Sequence, residues 1–210
     1  MANPFFTFKQ FTIRHDRCAM KVGTDGVLLG AWTNVDHSHR LLDVGTGTGL
    51  IALMLAQRCP QAYITAIDID AEAVEQAREN TLSSPWKDRV EVLLQDICTF
   101  PTNQQFDTIV SNPPYIRSEV IETLMPEVKD HEPLKALDGT EDGLYFYRKI
   151  VADCKNYLTE NGKLLFEIGH DQGISVPELL KEAGFTDIKV KKDLAGNDRC
   201  VYGVRRSNSR

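Results

Sequence analysis

The 210-residue sequence lacks three features, each of which would fix its class at once. It has no paired cysteines: Cys18, Cys59, Cys98, Cys154 and Cys200 are odd in number and scattered, with no CxxC spacing. Neither a disulfide framework nor a zinc cluster is therefore expected, no metal is called for, and the thiols read as free in a reducing compartment. No apolar run approaches the ~20 residues that span a membrane, and the start MANPFFTFKQF lacks a basic segment leading into an apolar stretch and a cleavage site. A cytoplasmic location without a membrane partner is the expectation. Positive charge is also short: 24 Lys and Arg face 30 Asp and Glu, a formal net charge of −6. This removes the long-range attraction that most nucleic-acid binders use, so any RNA contact has to be local.

What remains is a composition that is 42% hydrophobic, and at this length about 70% of the unfolded surface can be buried in one core. Strand patterns fall at Leu41 to Gly45, Tyr63 to Ile69, Val90 to Leu94, Phe106 to Val110, Lys163 to Ile168, Ile188 to Lys191 and Arg199 to Val204. Between them run helical patterns at Leu50 to Gln57, Ala71 to Thr81, near Leu144 to Leu158 and near Val176 to Ala183. Asp70 is placed to cap the second helix, whose inner face is Val74, Ala77 and Thr81. Such alternation predicts an α/β, Rossmann-like fold with a mostly parallel seven-stranded sheet, helices on both faces and an antiparallel C-terminal hairpin turned at Asp193 to Asp198. Residues 1–40, with Phe6, Phe8, Phe11 and Ile13 in an extended pattern and Gly23 to Trp32 entering a helix, read as a lid or extension on a single domain of residues 41–210.

The first chemical signal is Asp43-Val-Gly45-Thr46-Gly47-Thr-Gly49, where the first sheet strand turns into a helix. Glycines let the backbone turn sharply and approach a ligand, and the free amides of the helix start favour anionic groups; a tight turn without a ligand is the alternative. Nineteen residues after Gly49 stands Asp68, where a carboxylate can accept both hydroxyls of a ribose. Helix capping is the other reading of this acidic pair and suits Asp70. The fourth strand runs into Asn112-Pro113-Pro114-Tyr115. Two prolines stiffen that backbone, so the Asn112 side-chain oxygen and the Pro113 carbonyl can act as fixed acceptors for a planar NH2 group, with Tyr115 available to stack on it.

The GxGxG loop, Asp68 and Gln95-Asp96-Ile97 after the third strand resemble class I S-adenosylmethionine-dependent methyltransferases. The resemblance implies S-adenosyl-L-methionine as cofactor, with Gly45, Thr46, Gly47 and Gly49 lining its amino-acid part and Asp43 organising the loop and the ammonium group. It gives the ribose to Asp68, the adenine to Asp96 and Ile97, and a place beside the methyl group to Asn112, with Asn112, Pro113, Pro114 and Tyr115 as the catalytic set. Among such enzymes the Asn-Pro-Pro-Tyr loop resembles the amino-methylating group that acts on adenine N6, cytosine N4 or glutamine N5.

Two families share the chain. Residues 5 to about 95, through Phe8-Lys9-Gln10-Phe11, His15 to Gly26 and Ser84-Pro85-Trp86, resemble the bacterial tRNA(Val) adenine-37 N6-methyltransferases. Residues 111–204 resemble the release-factor glutamine N5-methyltransferases, through the Asn112 loop, His131-Glu132-Pro133, Ala136 to Gly139, Asp142 to Arg148, Phe166 to Gly169 and Asp193 to Arg199. The pattern is that of a chimera joined between the third strand and the Asn112 loop. The expected partner is tRNA or a peptide chain release factor. Transfer to tRNA adenine N6 comes first, because the release-factor family carries a helical gripping domain without a counterpart here. Glutamine N5 methylation is the alternative, and a cofactor-binding scaffold without a productive acceptor site is a third reading. Lys9, Arg14, Arg17 and Lys21 near the start, and Lys189, Lys191, Lys192, Arg199, Arg205, Arg206 and Arg210 near the end, read as a solvated charged face rather than a phosphate track. His15 and His131 read as loop or packing residues.

Overall fold

In the computed structural model, residues 3–18, 21–101, 103–121 and 134–206 are described, and they open with a hairpin of β1 (Phe5–Thr7) and β2 (Thr12–Arg14) followed by helix α1 (Thr24–Trp32). Then come β3 (Arg40–Val44), α2 (Leu50–Arg58), β4 (Tyr63–Asp68), α3 (Ala71–Leu82) and β5 (Val90–Leu94), a 3-10 turn at Ile97–Thr99, and β6 (Phe106–Ser111). Short helices α4 (Ser118–Ile121) and α5 (Leu134–Leu137) precede α6 (Tyr145–Tyr157), β7 (Leu158–Glu167), α7 (Ser175–Glu182), β8 (Phe185–Lys192) and β9 (Asp198–Arg205). The His131-Glu132-Pro133 stretch, Ala19, Met20 and Arg210 lie outside the described residues.

The seven-stranded sheet has the order β5-β4-β3-β6-β7-β9-β8. All pairs from β5 to β7 are parallel, and β9 inserts between β7 and β8, antiparallel to both. The expected hairpin is present, but its second strand is the one that joins the sheet. Strand β7 begins at Leu158, earlier than the sequence pattern suggests: Leu158 pairs with Phe106, and a register shift separates it from the Lys163–Thr108 pairing. Asn161, in the left-handed region at φ 62°, accommodates the irregularity.

Each sheet face has its own core. On one side lie α1, α2, α3 and the first hairpin, with Phe11, Ile13, Leu29, Leu53 and Leu55 buried; on the other lie α6 and α7, with Tyr147, Phe166 and Leu180 buried. Central strand β3 is covered on both faces, so Leu41, Leu42 and Val44 are all buried and its sequence shows no alternation. Each fully buried leucine contributes about 2 kcal/mol relative to an exposed one. Residues 1–40 thus enter the larger core through Phe11, Ile13 and Leu29.

Long-range arginines fix the helix ends that face away from the carboxyl edge of the sheet. Arg58 donates Nη1 to Gly30 O and Thr33 O at 2.7 Å each, and Arg89 reaches Ala56 O at 2.7 Å, Ala62 O at 2.8 Å and Cys59 O at 3.0 Å. The carbonyls at a helix C-terminus have no intrahelical partner, so a cation there satisfies them and opposes the negative end of the helix dipole. Arg89→Ala is expected to cost about 2 to 3 kcal/mol, read as a lower urea midpoint at unchanged slope.

Candidate functional site

The strand order reverses between β3 and β6, and the loops that leave the carboxyl ends of these two neighbours diverge there and open a crevice. The glycine loop follows β3. Gly45, Gly47 and Gly49 have φ of 71°, 55° and 81°, a region that side-chain-bearing residues enter at a cost. Gly45 N and Thr46 N donate to Ile67 O at 2.9 and 3.0 Å, tying the loop to β4. A Cβ on Gly49 would meet that of Ala77 at 3.3 Å, whereas one on Gly45 would meet nothing within 4 Å. The loop is packed on α3 at one end and open at the other.

Asp43 has no solvent exposure. Its Oδ2 accepts Thr46 Oγ1 at 2.7 Å and Ala52 N at 3.2 Å, while Oδ1 is buried with no hydrogen-bond partner. Burial pushes its carboxyl up to about 7 against those two bonds, and nearby Asp68 adds to the rise. Asp68 ends β4, where Oδ2 accepts Gly47 N at 2.9 Å and Oδ1 accepts Asp70 N at 3.0 Å. Burial lifts its carboxyl above the usual range, opposed by these amides. Asp70 caps α3 through Glu72 N and Ala73 N, as expected of it. Asp96 follows β5 and caps the 3-10 turn by accepting Cys98 N at 2.9 Å, a bond that holds its carboxyl below the usual range; Ile97 beside it is buried.

The Asn112 loop is built across the crevice. Ser111 Oγ donates to Val44 O at 2.7 Å, joining the end of β6 to the end of β3. The loop is clamped from outside by residues 137–143 and Gln172: Ile116 N bonds Leu137 O at 3.0 Å, Gly139 N bonds Ile116 O at 2.8 Å, and Gln172 Nε2 donates to both Tyr115 O and Gly143 O at 3.1 Å. A Cβ on Gly139 would lie 2.7 Å from Tyr115 Cα, and one on Gly143 would lie 2.5 Å from Tyr115 O. Only glycine admits this approach. Tyr115 itself is half-buried, packs against the second core and donates Oη to Glu167 Oε1 at 3.4 Å. The ring offered for stacking in the sequence reading is held as an anchor, with only its exposed part left for a ligand.

Sequence reasoning missed the group behind this loop. Glu167, 3% exposed at the end of β7, accepts Tyr115 Oη at 3.4 Å through Oε1, while its Oε2 is buried with no hydrogen-bond partner. Burial, then the charge of Asp25, push its carboxyl up to about 8, opposed by Arg199. Arg199 pairs with Asp193 at 3.4 Å and Asp25 at 3.6 Å. Several other basic residues read as a charged face are also paired: Arg14 and Arg17 with Glu79, Lys192 with Asp198, Arg206 with Asp187. His15 is a buried tie, its Nε2 bonded to Asn3 O at 2.7 Å and its Nδ1 accepting from Val22 N. Two cavities of about 510 and 490 Å³ lie elsewhere, one at the amino ends of β3 and β6 beside Arg40 and Asp107, the other between Trp32 and Tyr202. Neither touches these loops. Among the described residues no His, Cys, Asp or Glu cluster could hold a metal, and no helix is long and apolar enough to cross a membrane.

Sheet order and paired loops are those of an S-adenosylmethionine-dependent methyltransferase, and the comparisons with known proteins agree. Residues 20–127 match the methyltransferase small domain family. A tRNA1(Val) (adenine(37)-N6)-methyltransferase of Phocaeicola vulgatus is 69% identical over 115 residues, covering 55% of this chain and 49% of that protein. Its namesake from Bacteroides fragilis strain YCH46 is 45% identical over 187 residues, 88% of this chain and 75% of that one. The chain therefore spans about half the length of the first relative. Among solved structures, the hMettl16 catalytic domain in complex with the MAT2A 3'UTR hairpin 1 superposes with a TM-score of 0.71 at 15% identity, over 92% of this chain and 73% of that one. An O-methyltransferase of Thermotoga maritima gives 0.65 at 15% identity, over 93% and 69%. At these identities the fold alone is shared. The chain belongs to the methyltransferase small domain family.

Asp43 and Glu167 both hold protons more tightly folded than unfolded, so their contribution to stability is full below the ordinary carboxylate range. It is lost as pH rises through about 7 for Asp43 and about 8 for Glu167. The urea midpoint is expected to fall between about pH 5 and pH 8.5. Asp43→Asn, which keeps an acceptor for Thr46 and Ala52 without a titrating proton, should flatten the lower part of that decline.

Proposed function

We propose that the chain transfers a methyl group from S-adenosyl-L-methionine to the N6 amino group of an adenine in tRNA. The observation that carries this reading is the placement of the Asn112 loop one strand from the glycine loop, tied to it through Ser111 and Val44. The names of the relatives at 45% and 69% identity supply the acceptor.

The residues fit the cofactor. Asp43 Oδ1 is a buried acceptor without a partner, suited to an ammonium group. Space is open beside Gly45, and Asp68 and Asp96, each bonded to backbone amides on one side, retain lone pairs for ribose hydroxyls and an adenine amine. Bound there, S-adenosylmethionine supplies an electrophilic methyl group. Residues 14–18 run over the glycine loop: Arg14 N and Arg17 N bond Asn80 Oδ1 and Gln76 Oε1 on α3, Asn80 Nδ2 in turn holds Thr48 O at 2.8 Å, and Cys18 Sγ comes within 3.6 Å of a Cβ placed on Gly47. This supports reading residues 1–40 as a lid on the cofactor side of a single domain.

An aromatic amine is a poor nucleophile because its lone pair is delocalised. Asn112 Oδ1 and the Pro113 carbonyl, accepting its two hydrogens, favour the pyramidal geometry that develops during attack. Holding two reactants in line contributes several kcal/mol, up to about 7 to 11 in favourable cases. A second reading, glutamine N5 methylation of a release factor by a chimeric chain, draws on Ala136 to Gly139, Asp142 to Arg148 and Phe166 to Gly169, which resemble that family and include residues that pack around the Asn112 loop. The match to the Bacteroides fragilis relative, 187 residues and 88% of this chain, runs across such a join and favours the first reading.

Parallel transfer of labelled methyl to unmodified tRNA and to unmodified release factor tests the choice: label in tRNA alone is expected. Label only in the release factor reverses the assignment, and cofactor binding without transfer to either leaves the scaffold. Calorimetry should show that Asp68→Ala weakens cofactor binding by about tenfold or more, the equivalent of about 1.4 kcal/mol. Asn112→Ala should abolish transfer with cofactor affinity nearly intact.

A further inference from the structure

We infer that the cavity between the end of α1 and the β8–β9 hairpin is a second contact site for the RNA substrate, where one nucleotide stacks on aromatic rings and its phosphate meets two lysines. The occupant rests on the tRNA reading, and the site lies apart from the glycine loop and the Asn112 loop. Its volume is about 490 Å³, within the range of pockets that take small organic ligands. The floor is the sheet itself. Leu165 of β7, Tyr202 of β9 and Lys189 of β8 form one cross-strand row, and Lys163 pairs with Val204 in the next. Trp32, at the end of α1, makes a wall, its ring 5.7 Å from that of Tyr202. Lys189 Nζ lies over the Tyr202 ring, 5.9 Å from its centre.

The polar lining consists mainly of donors. Lys163 Nζ donates to Asn34 Oδ1 at 2.8 Å, and the same oxygen accepts Asp36 N at 3.1 Å. The amide is thereby oriented, and its nitrogen keeps both hydrogens for a ligand. Asp187, the carboxylate of the lining, is engaged by Arg206 Nη2 at 2.8 Å. Neither lysine forms an ion pair with a described residue, whereas Lys192, Arg199 and Arg206 of the same C-terminal half do. Burial holds the Lys163 ammonium below its ordinary pKa, opposed by the charges of Asp36 and Asp107, and an anion in the groove would offset that cost. Lysines on an edge strand guard it against pairing with another sheet. That explanation covers Lys189 on β8 but not Lys163, which lies on β7 inside the sheet. Aromatic faces beside unpaired cations and an amide donor suit a flat, acceptor-rich base joined to a phosphate. Lys163 also stands on the strand that ends at Glu167, whose carboxyl takes the Tyr115 hydroxyl of the acceptor loop. The separation along β7 is about 13 Å, which about four nucleotides of a stacked strand cover. One RNA can therefore hold an adenine in the crevice and a neighbouring nucleotide here. Contact of this local kind is what a chain with a net charge of −6 requires.

Trp32 and Trp86 are the two tryptophans of the chain, so in a Trp86→Phe chain the emission of Trp32 reports on the groove. Unmodified tRNA should change that emission saturably, and methylation of the same tRNA is measured alongside. Lys163→Gln combined with Lys189→Gln should weaken tRNA binding about tenfold or more and lower the slope of log K against log salt by about 1 to 2. Tyr202→Leu, which keeps an apolar floor, should weaken binding about fivefold or more at unchanged slope. Lys155→Gln combined with Lys181→Gln, on α6 and α7 across the sheet, should leave the slope unchanged and the affinity within about twofold. Where the lysine pair or Tyr202→Leu does not fold, the exposed single change Lys189→Gln decides, with an expected loss of slope of about 1. Heparin, a polyanion without bases, should leave Trp32 emission unchanged. An equal change with heparin, or a control pair that weakens binding as much as the groove pair, overturns the inference. So does a chain that methylates tRNA and binds it as tightly with the groove lysines and Tyr202 replaced, and methyl transfer then stands. Lysine-dependent binding of a tRNA that is never methylated overturns the acceptor assignment and keeps the groove. A tRNA neither bound nor methylated overturns both.

Discussion

Asp43 is the next-to-last residue of the central strand, between Ala66 of β4 and Val110 of β6, with no exposure to water. An isolated charge there is costly, so its position is sustained by what it bonds. The Ala52 amide it accepts is the third of α2, one of the first donors that have no partner inside the helix. Gly49, the residue at the cap position, has no side chain to serve it. The carboxyl of the preceding strand does what a Ser or Asp cap does elsewhere, and through Thr46 it holds the loop in between. One side chain thereby sets strand, loop and helix against one another. This is why the glycines can be free of side chains and still be ordered.

The opposite wall is made by a different device with the same result. The Asn112 loop is held chiefly by close backbone approach, with Gly139 and Gly143 against Tyr115 and with Gln172 bonded to Tyr115 O and Gly143 O, and the Glu167 carboxyl takes the Tyr115 hydroxyl from behind. Gln172 Oε1 in turn takes Gly169 N at 2.9 Å, so the turn after β7 is part of the same frame. Because Ser111 ties β6 to Val44, the spacing between the two walls is a property of the sheet. Positional precision of this kind is what a reaction driven mainly by alignment needs.

Strands, helices and both loops were legible in the sequence because each is written locally, in apolar runs, glycine spacing and a proline pair. What escaped is non-local. Arg89 satisfies carbonyls around 30 residues away, and Asn80 links Arg14 to Thr48 across distances of 66 and 32 residues. No spacing announces such a contact. Glu167 stood in a recognisable Phe-Glu-Ile-Gly stretch, yet nothing local distinguishes a carboxylate that ends a strand in solvent from one that ends it beneath another loop. The early start of β7 was hidden by Asn161, whose left-handed backbone serves a bulge rather than a turn.

Charge gives the last constraint on the proposed reaction. With a formal net charge of −6 and with Arg14, Arg17, Arg117, Arg199 and Arg206 all engaged by acidic partners, the described surface offers little long-range pull on a polyanion. Adenine N6 and a glutamine amide share a planar NH2 and differ in what carries it. In the proposed reaction the rigid part of the site would read the shared group, with Asn112 and Pro113 as its acceptors. Tyr115, anchored through both its hydroxyl and its carbonyl, is spent on the brace more than on the carrier. Recognition of the carrier is thereby separated from the chemistry and left to surfaces around the crevice.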